Sequence, residues 1–142
     1  MRVLVVDDSL LFRRFVHRLL EQKQDFQLVG EAPGGPEAVQ KAKELQPDLI
    51  LLDIGLPQLN GIEAAKQIRQ IAPGTKTLFL TLNNDADVIG AALDTGAKGY
   101  VLKSDAGTEL WPAIEAVLEN KQYVSRGLAS HCQTGVFQII FN

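Results

Sequence analysis

The chain has 142 residues, 46% apolar and 22% charged, with 14 Lys and Arg against 17 Asp and Glu. That length supports one domain burying roughly 68–70% of its unfolded surface. The formal net charge of -3 argues against a grip on DNA or RNA, which depends on cationic neutralisation of phosphates. A single cysteine, Cys132, excludes an intrachain disulfide and suits a reducing, cytoplasmic setting.

Residues 3–6 read as a buried strand, too short for a signal-peptide core or a membrane span. Ser9 then caps a first helix whose apolar positions Leu11, Phe12, Phe15, Val16, Leu19 and Leu20 recur at three and four. Residues 27–30 form a short second strand, and residues 37–45 a second helix ended by Pro47. Residues 48–52 (DLILL) are apolar toward both faces, as a central parallel strand must be. A third helix over 62–71 stops at Pro73-Gly74. Residues 77–80, 86–93 and 99–102 continue as strand, helix and strand, and a fifth helix follows over 108–118.

Pro112 conflicts with that last helix, because it removes a backbone donor. Either the regular helix starts late enough to hold Pro112 in its first turn, or it kinks there. Residues 125–142 lack a clear period and end on an apolar stretch, 136–141. They read as a tail or truncated linker beyond a domain of residues 1–124.

Five β/α alternations predict an α/β fold, a five-stranded parallel sheet doubly wound with five helices. Right-handed crossovers limit the strand orders, and the flavodoxin-like order 2-1-3-4-5 is one common solution. Ligands in such sheets bind beyond the carboxyl ends of strands, where the order reverses. That point lies between strands one and three, which end on Asp7-Asp8 and Asp53. Thr81 and Lys103 end strands four and five.

Three carboxylates in one pocket repel each other, so a cation is the economical explanation. Mg²⁺ suits them, since it takes oxygen ligands and keeps several waters. Asp53 could serve both as ligand and as a nucleophile toward phosphorus. The Lys103 ammonium and the Thr81 hydroxyl could then hold phosphoryl oxygens. Taken singly, each group has a plainer reading as a turn, cap or surface residue. The shared location at strand ends weakens those readings together.

Four segments carry a resemblance to a known family: Val5-Val6-Asp7-Asp8-Ser9, residues 51–61 (LLDIGLPQLNG), Leu80-Thr81, and residues 96–103 (GAKGYVLK). The sequence resembles a response-regulator receiver domain of two-component signalling over residues 1 to 124. The resemblance implies that Asp53 accepts a phosphoryl group from a sensor histidine kinase. It implies that Asp7, Asp8, Asp53 and the Gly55 carbonyl hold Mg²⁺, and that Thr81 and Lys103 contact the phosphoryl group. It further implies a switch in which Thr81 is recruited and Tyr100 turns inward. Residues 11–14 (LFRR), Lys103-Ser104 and residues 121–125 (KQYVS) resemble the NarL/FixJ, or LuxR-like, subgroup, whose receivers precede a helix-turn-helix domain. Only 17 residues follow Ser125 (142 − 125), so DNA contact is expected only through an output domain that these residues do not contain.

The expected role is a phosphorylation-activated switch, not an enzyme on an outside substrate, regulating transcription or, alternatively, acting alone through protein contacts. A phosphohydrolase would want an acidic residue where Gly55 stands. A flavin carrier would find its phosphate repelled by Asp7-Asp8, and the complete acidic set argues against a pseudo-receiver. Expected partners are the kinase, docking at the face of the first helix that carries Arg13, Arg14, His17 and Arg18, and a second copy, in a phosphorylation-dependent homodimer paired through helices one and five. Leu82 is expected to narrow access to Asp53, and Asn83 to flank the pocket. His131-Cys132 makes a poor metal site.

Overall fold

Strands apolar on both sides need a helix layer on each, and that requirement organises the chain. The computed structural model describes residues 1–82 and 85–126. Its strands are β1 (Arg2–Val6), β2 (Gln27–Ala32), β3 (Leu49–Leu52), β4 (Lys76–Thr81), β5 (Gly99–Leu102) and β6 (Tyr123–Val124). All pairings are parallel, in the order β2-β1-β3-β4-β5-β6. The expected flavodoxin-like order of the first five strands is therefore present.

Alternation along the strands sorts the side chains into two cores. Leu4, Val6, Ile50, Leu52, Phe79 and Tyr100 face α2 (Gly35–Leu45), α3 (Gly61–Ile71) and α4 (Ala86–Asp94). Val3, Val5, Leu49, Leu51, Leu78, Leu80 and Val101 face α1 (Leu10–Glu21) and α5 (Ala106–Leu118). Ala38, Ala42, Ala64 and Ala65 keep α2 and α3 close to the sheet.

Two features add to the expected pattern. The sheet has a sixth strand, held by Tyr123 N–H donating to Lys98 O (2.8 Å) and Ser125 N–H donating to Tyr100 O (2.9 Å). Two residues are too few for strand periodicity to register in a sequence. The fifth helix begins at Ala106, after a 3₁₀ turn over Lys103–Asp105, so Pro112 lies well past its first turn. Pro112 is exposed, and so is Thr108 four residues earlier, whose carbonyl loses its usual donor. Water can take that place on this face, which is why the helix runs through the proline.

At the end of the sheet away from Asp53, a basic cleft of about 360 Å³ is lined by Arg69, Lys76 and Lys98. Arg69 Nη1 donates to Thr95 O (3.0 Å) and Lys76 Nζ to Leu118 O (2.7 Å). Two of these charges thus serve the carboxyl ends of α4 and α5, where helix carbonyls lack partners.

Gly61 opens α3 directly beneath the loop that follows β3. A Cβ there would lie 2.1 Å from the Asp53 carbonyl oxygen, a contact no rotamer relieves. Gly61→Ala should therefore destabilise the fold by about 3 kcal/mol, the upper end of ordinary overpacking. Urea unfolding measures it; a change below about 1 kcal/mol would show that the loop yields freely.

Candidate functional site

The strand ladders carry two acids into one pocket. Asp7 N–H donates to Ala32 O (3.0 Å) and Asp53 N–H to Val6 O (3.0 Å), each one residue past its strand. Asp7 is 1% exposed and Asp53 5%, whereas Asp8 is open to solvent. Carboxylate oxygens of Asp7, Asp8 and Asp53 lie within 4.8 Å of one another.

Lys103 sits over the pair. Its ammonium is 2.6 Å from Asp7 Oδ2 and 3.2 Å from Asp53 Oδ2. The first contact is a short ion pair, and the buried Asp7 Oδ2 has no other partner among the described residues. Burial alone would push the Lys103 ammonium down, yet its contacts with Asp7 and Asp53 hold it above its ordinary range. The Phe12 ring lies 4.8 Å from the same ammonium and covers one side of it.

Asp53 experiences the opposite balance. Burial raises its carboxyl above the usual carboxylate range, and Asp7 adds to that rise, against the pull of Lys103. Gly55 N–H donates to Asp53 Oδ1 (3.2 Å) and orients the acid. Asp8, Asp53, Ile54, Gly55, Thr81, Leu82 and Lys103 together line a cavity of about 300 Å³. Its donor set is hard carboxylate oxygen from three clustered acids, which fits Mg²⁺ better than softer metals. Asp7, Asp8 and Asp53 would hold such an ion. Gly55 lines the same cavity.

Thr81 ends β4 and is buried, with its side chain close to the Tyr100 phenol. Tyr100 is 0% exposed, so its ring already points inward, and burial raises its phenol. β6 covers the outer side of β5, so Tyr100 does not stand on an edge strand. Leu82 is 78% exposed at the cavity rim. Asn83, His131, Cys132 and the stretch 136–141 lie outside the described residues.

Two contributors were hidden from sequence reading. Arg13 was assigned to the outer face of the first helix with Arg14, His17 and Arg18. Its side chain instead turns in: Nε is 3.2 Å from Glu31 Oε1 and Nη1 donates to the Asp7 carbonyl. Phe12 read only as core. Neither role follows from helical spacing, because both depend on where β2 and Lys103 lie across the pocket. The expected caps are present: Ser9 Oγ accepts from Phe12 N–H (3.2 Å), and Asn60 Oδ1 from Glu63 N–H (3.0 Å).

A doubly wound parallel sheet with an acid cluster and a lysine at its switch point has the architecture of a flavodoxin-like receiver fold. Residues 3–115 match the response regulator receiver domain family, and the chain belongs to it. Its relatives include LuxR- and NarL-type regulators. The transcriptional regulatory protein DegU of Brevibacillus brevis is 34% identical over 123 residues, 87% of this chain and 52% of that protein. A LuxR-family response regulator from Aurantimonas sp. SI85-9A1 superposes with a TM-score of 0.85 at 35% identity, covering 91% of this chain and 92% of that one. The receiver domain of a putative NarL response regulator from Mycobacterium tuberculosis gives 0.79 at 32% identity, covering 84% and 97%. The chain thus spans about half the length of DegU.

The raised Asp53 carboxyl has a consequence for stability. The folded state binds this proton more readily than the unfolded chain, so ionising Asp53 opposes folding above its raised pKa. Asp53→Asn should raise the thermal midpoint by a few degrees at neutral pH, and the gain should shrink as the pH falls through the folded pKa. Calorimetry across that range checks both parts; a less stable variant at neutral pH would contradict them.

Proposed function

We propose that this domain is a Mg²⁺-dependent phosphoacceptor switch, phosphorylated on Asp53 by a sensor histidine kinase in the cytoplasm. The observation that carries the reading is the Lys103 ammonium between Asp7 and Asp53 in a cavity open to solvent through Leu82. Bound Mg²⁺ would supply charge neutralisation for the incoming phosphoryl group.

In transfer, an Asp53 carboxylate oxygen bonds to phosphorus as the phosphorus–nitrogen bond to the donor histidine breaks. The electron pair of that bond leaves with the imidazole. Lys103 and the Thr81 hydroxyl hold phosphoryl oxygens that gain charge, and Gly55 N–H keeps Asp53 aligned. Asp7 acts as an ion ligand and as the anchor that keeps the lysine in the pocket. The product is an acyl phosphate on the protein itself. Gly55 occupies the position two residues after Asp53, where the acid/base carboxylate of a phosphohydrolase would stand.

The exposed Leu10, Leu11 and Phe15 on α1 offer an apolar patch for the kinase, on the same helix as the basic Arg14 and Arg18. Output through DNA is supported by the regulators this chain resembles. A solved relative holds two RcsB dimers bound to two parallel DNAs, at 26% identity and a TM-score of 0.83. Phosphorylation-strengthened dimerisation through α1 and α5 belongs to the same proposal, and the dimers in that structure favour pairing of some kind. The alternative, a receiver acting alone through protein contacts, uses the same chemistry.

Incubation with Mg²⁺ and acetyl phosphate should add the mass of one phosphoryl group, and Asp53→Asn should abolish the gain. An unmodified wild-type chain, or modification that persists in Asp53→Asn, would refute the assignment. Leu82→Ala should speed labelling several-fold by widening the mouth of the cavity, read as the rate of mass gain; an unchanged rate would free Leu82 of a gating role.

A further inference from the structure

A second buried polar cluster lies away from the acid pocket, where the chain leaves the sheet. Glu109 on α5 is 9% exposed and Ser125 is 0% exposed. A buried carboxylate is costly unless it is well bonded, and Glu109 is. It accepts from the Tyr123 hydroxyl (2.6 Å), the Ser125 hydroxyl (2.9 Å) and the Arg126 N–H (3.2 Å). These donors hold the Glu109 carboxyl below its ordinary range against the effect of burial. Burial and the same carboxylate push the Tyr123 phenol up to about 12. All three donors come from residues 123–126, so one side chain straps the departing chain to α5.

Ser125 has a second claimant. Its Oγ is 2.8 Å from Asp105 Oδ2, and a hydroxyl has one proton to donate. It can bond Asp105 or Glu109 at a given instant, not both. Asp105 closes the 3₁₀ turn that begins with Lys103, whose ammonium lies on Asp7 and Asp53. Two residues of tight turn therefore join the phosphoacceptor's lysine to the acid that competes for Ser125. The Ser125 N–H, bonded to Tyr100 O, keeps the residue in register beside β5 throughout.

We propose that the Ser125 hydroxyl reports the state of Asp53 to the exit of the domain, through the Lys103–Asp105 turn. The inference rests on the phosphoacceptor reading above. Recruitment of Lys103 by a phosphoryl dianion draws the turn toward the pocket and Asp105 away from Ser125. The hydroxyl then goes to Glu109 alone, and the strap over residues 123–126 tightens. Asp105 and Ser125 are positioning residues here, since neither touches the reacting atoms.

Amide hydrogen exchange of Ser125 and Arg126, in the 142-residue chain with Mg²⁺ and with or without beryllofluoride, reads the strap directly. Beryllofluoride should slow Arg126 exchange about tenfold, the factor that one net hydrogen bond of this kind contributes. Asp105→Ala should abolish that difference while Asp53 still takes up phosphoryl from acetyl phosphate. Asp105 makes no side-chain capping bond to the backbone of α5, so its truncation spares the helix cap. Exchange that is unchanged or faster in wild type, or slowing that survives in Asp105→Ala, overturns the proposal. Failure of Asp53 to gain phosphoryl mass would instead remove the switch reading itself.

Discussion

One ammonium shared by two buried carboxylates holds this domain's chemistry together. Lys103 reaches from the end of β5 to Asp7 and Asp53, and without it the two acids would face each other across a few ångströms of low-dielectric space. The arrangement is unbalanced even so. Asp53 is held above its ordinary pKa, and one buried oxygen of Asp7 has no partner but Lys103 among the described residues. A site left short of positive charge is one that takes up a cation and, with it, an anionic group. On the proposed reading, the cost to folding and the capacity for phosphoryl transfer have the same origin.

The sheet makes this possible by its order. β1 and β3 are neighbours with their crossovers running to opposite sides, so their carboxyl ends open a gap that no helix covers. The ladders continue one residue past each strand to fix Asp7 and Asp53, and Gly61 lets α3 start close under the loop. Thr81 and Tyr100, both buried on β4 and β5, would on the proposed reading carry the pocket's state into the interior. Lys103 would carry it toward the surface, along the turn that opens α5, as the further proposal has it.

Much of this was legible from residue order. The alternation of apolar runs with helical periods placed five strands and five helices, because each core strand has buried neighbours on both faces and each helix a narrow apolar stripe. The pocket acids were legible because chain topology alone brings strand ends together. What escaped was local or conditional on tertiary placement. Tyr123-Val124 is too brief to show a period, and its strand exists only because β5 offers an open edge. Pro112 argued against a helix that solvent on its outer face makes tolerable. Arg13 and Phe12 look like one more charge and one more core residue, until the pocket shows what lies opposite them. Glu109 reads as an ordinary helix acid; nothing in its sequence neighbourhood marks it as buried.

The claim beneath the account is that the three acids form a site short of positive charge, which a divalent cation completes. Thermal unfolding across a Mg²⁺ series tests it without reference to any kinase. A ligand that binds only the folded state adds about 2.7 kcal/mol at a hundredfold excess over its Kd. The wild-type midpoint should therefore climb with Mg²⁺ and keep climbing past saturation, while Asp7→Asn should respond weakly. A wild-type midpoint indifferent to Mg²⁺, or a response undiminished by Asp7→Asn, would contradict the account.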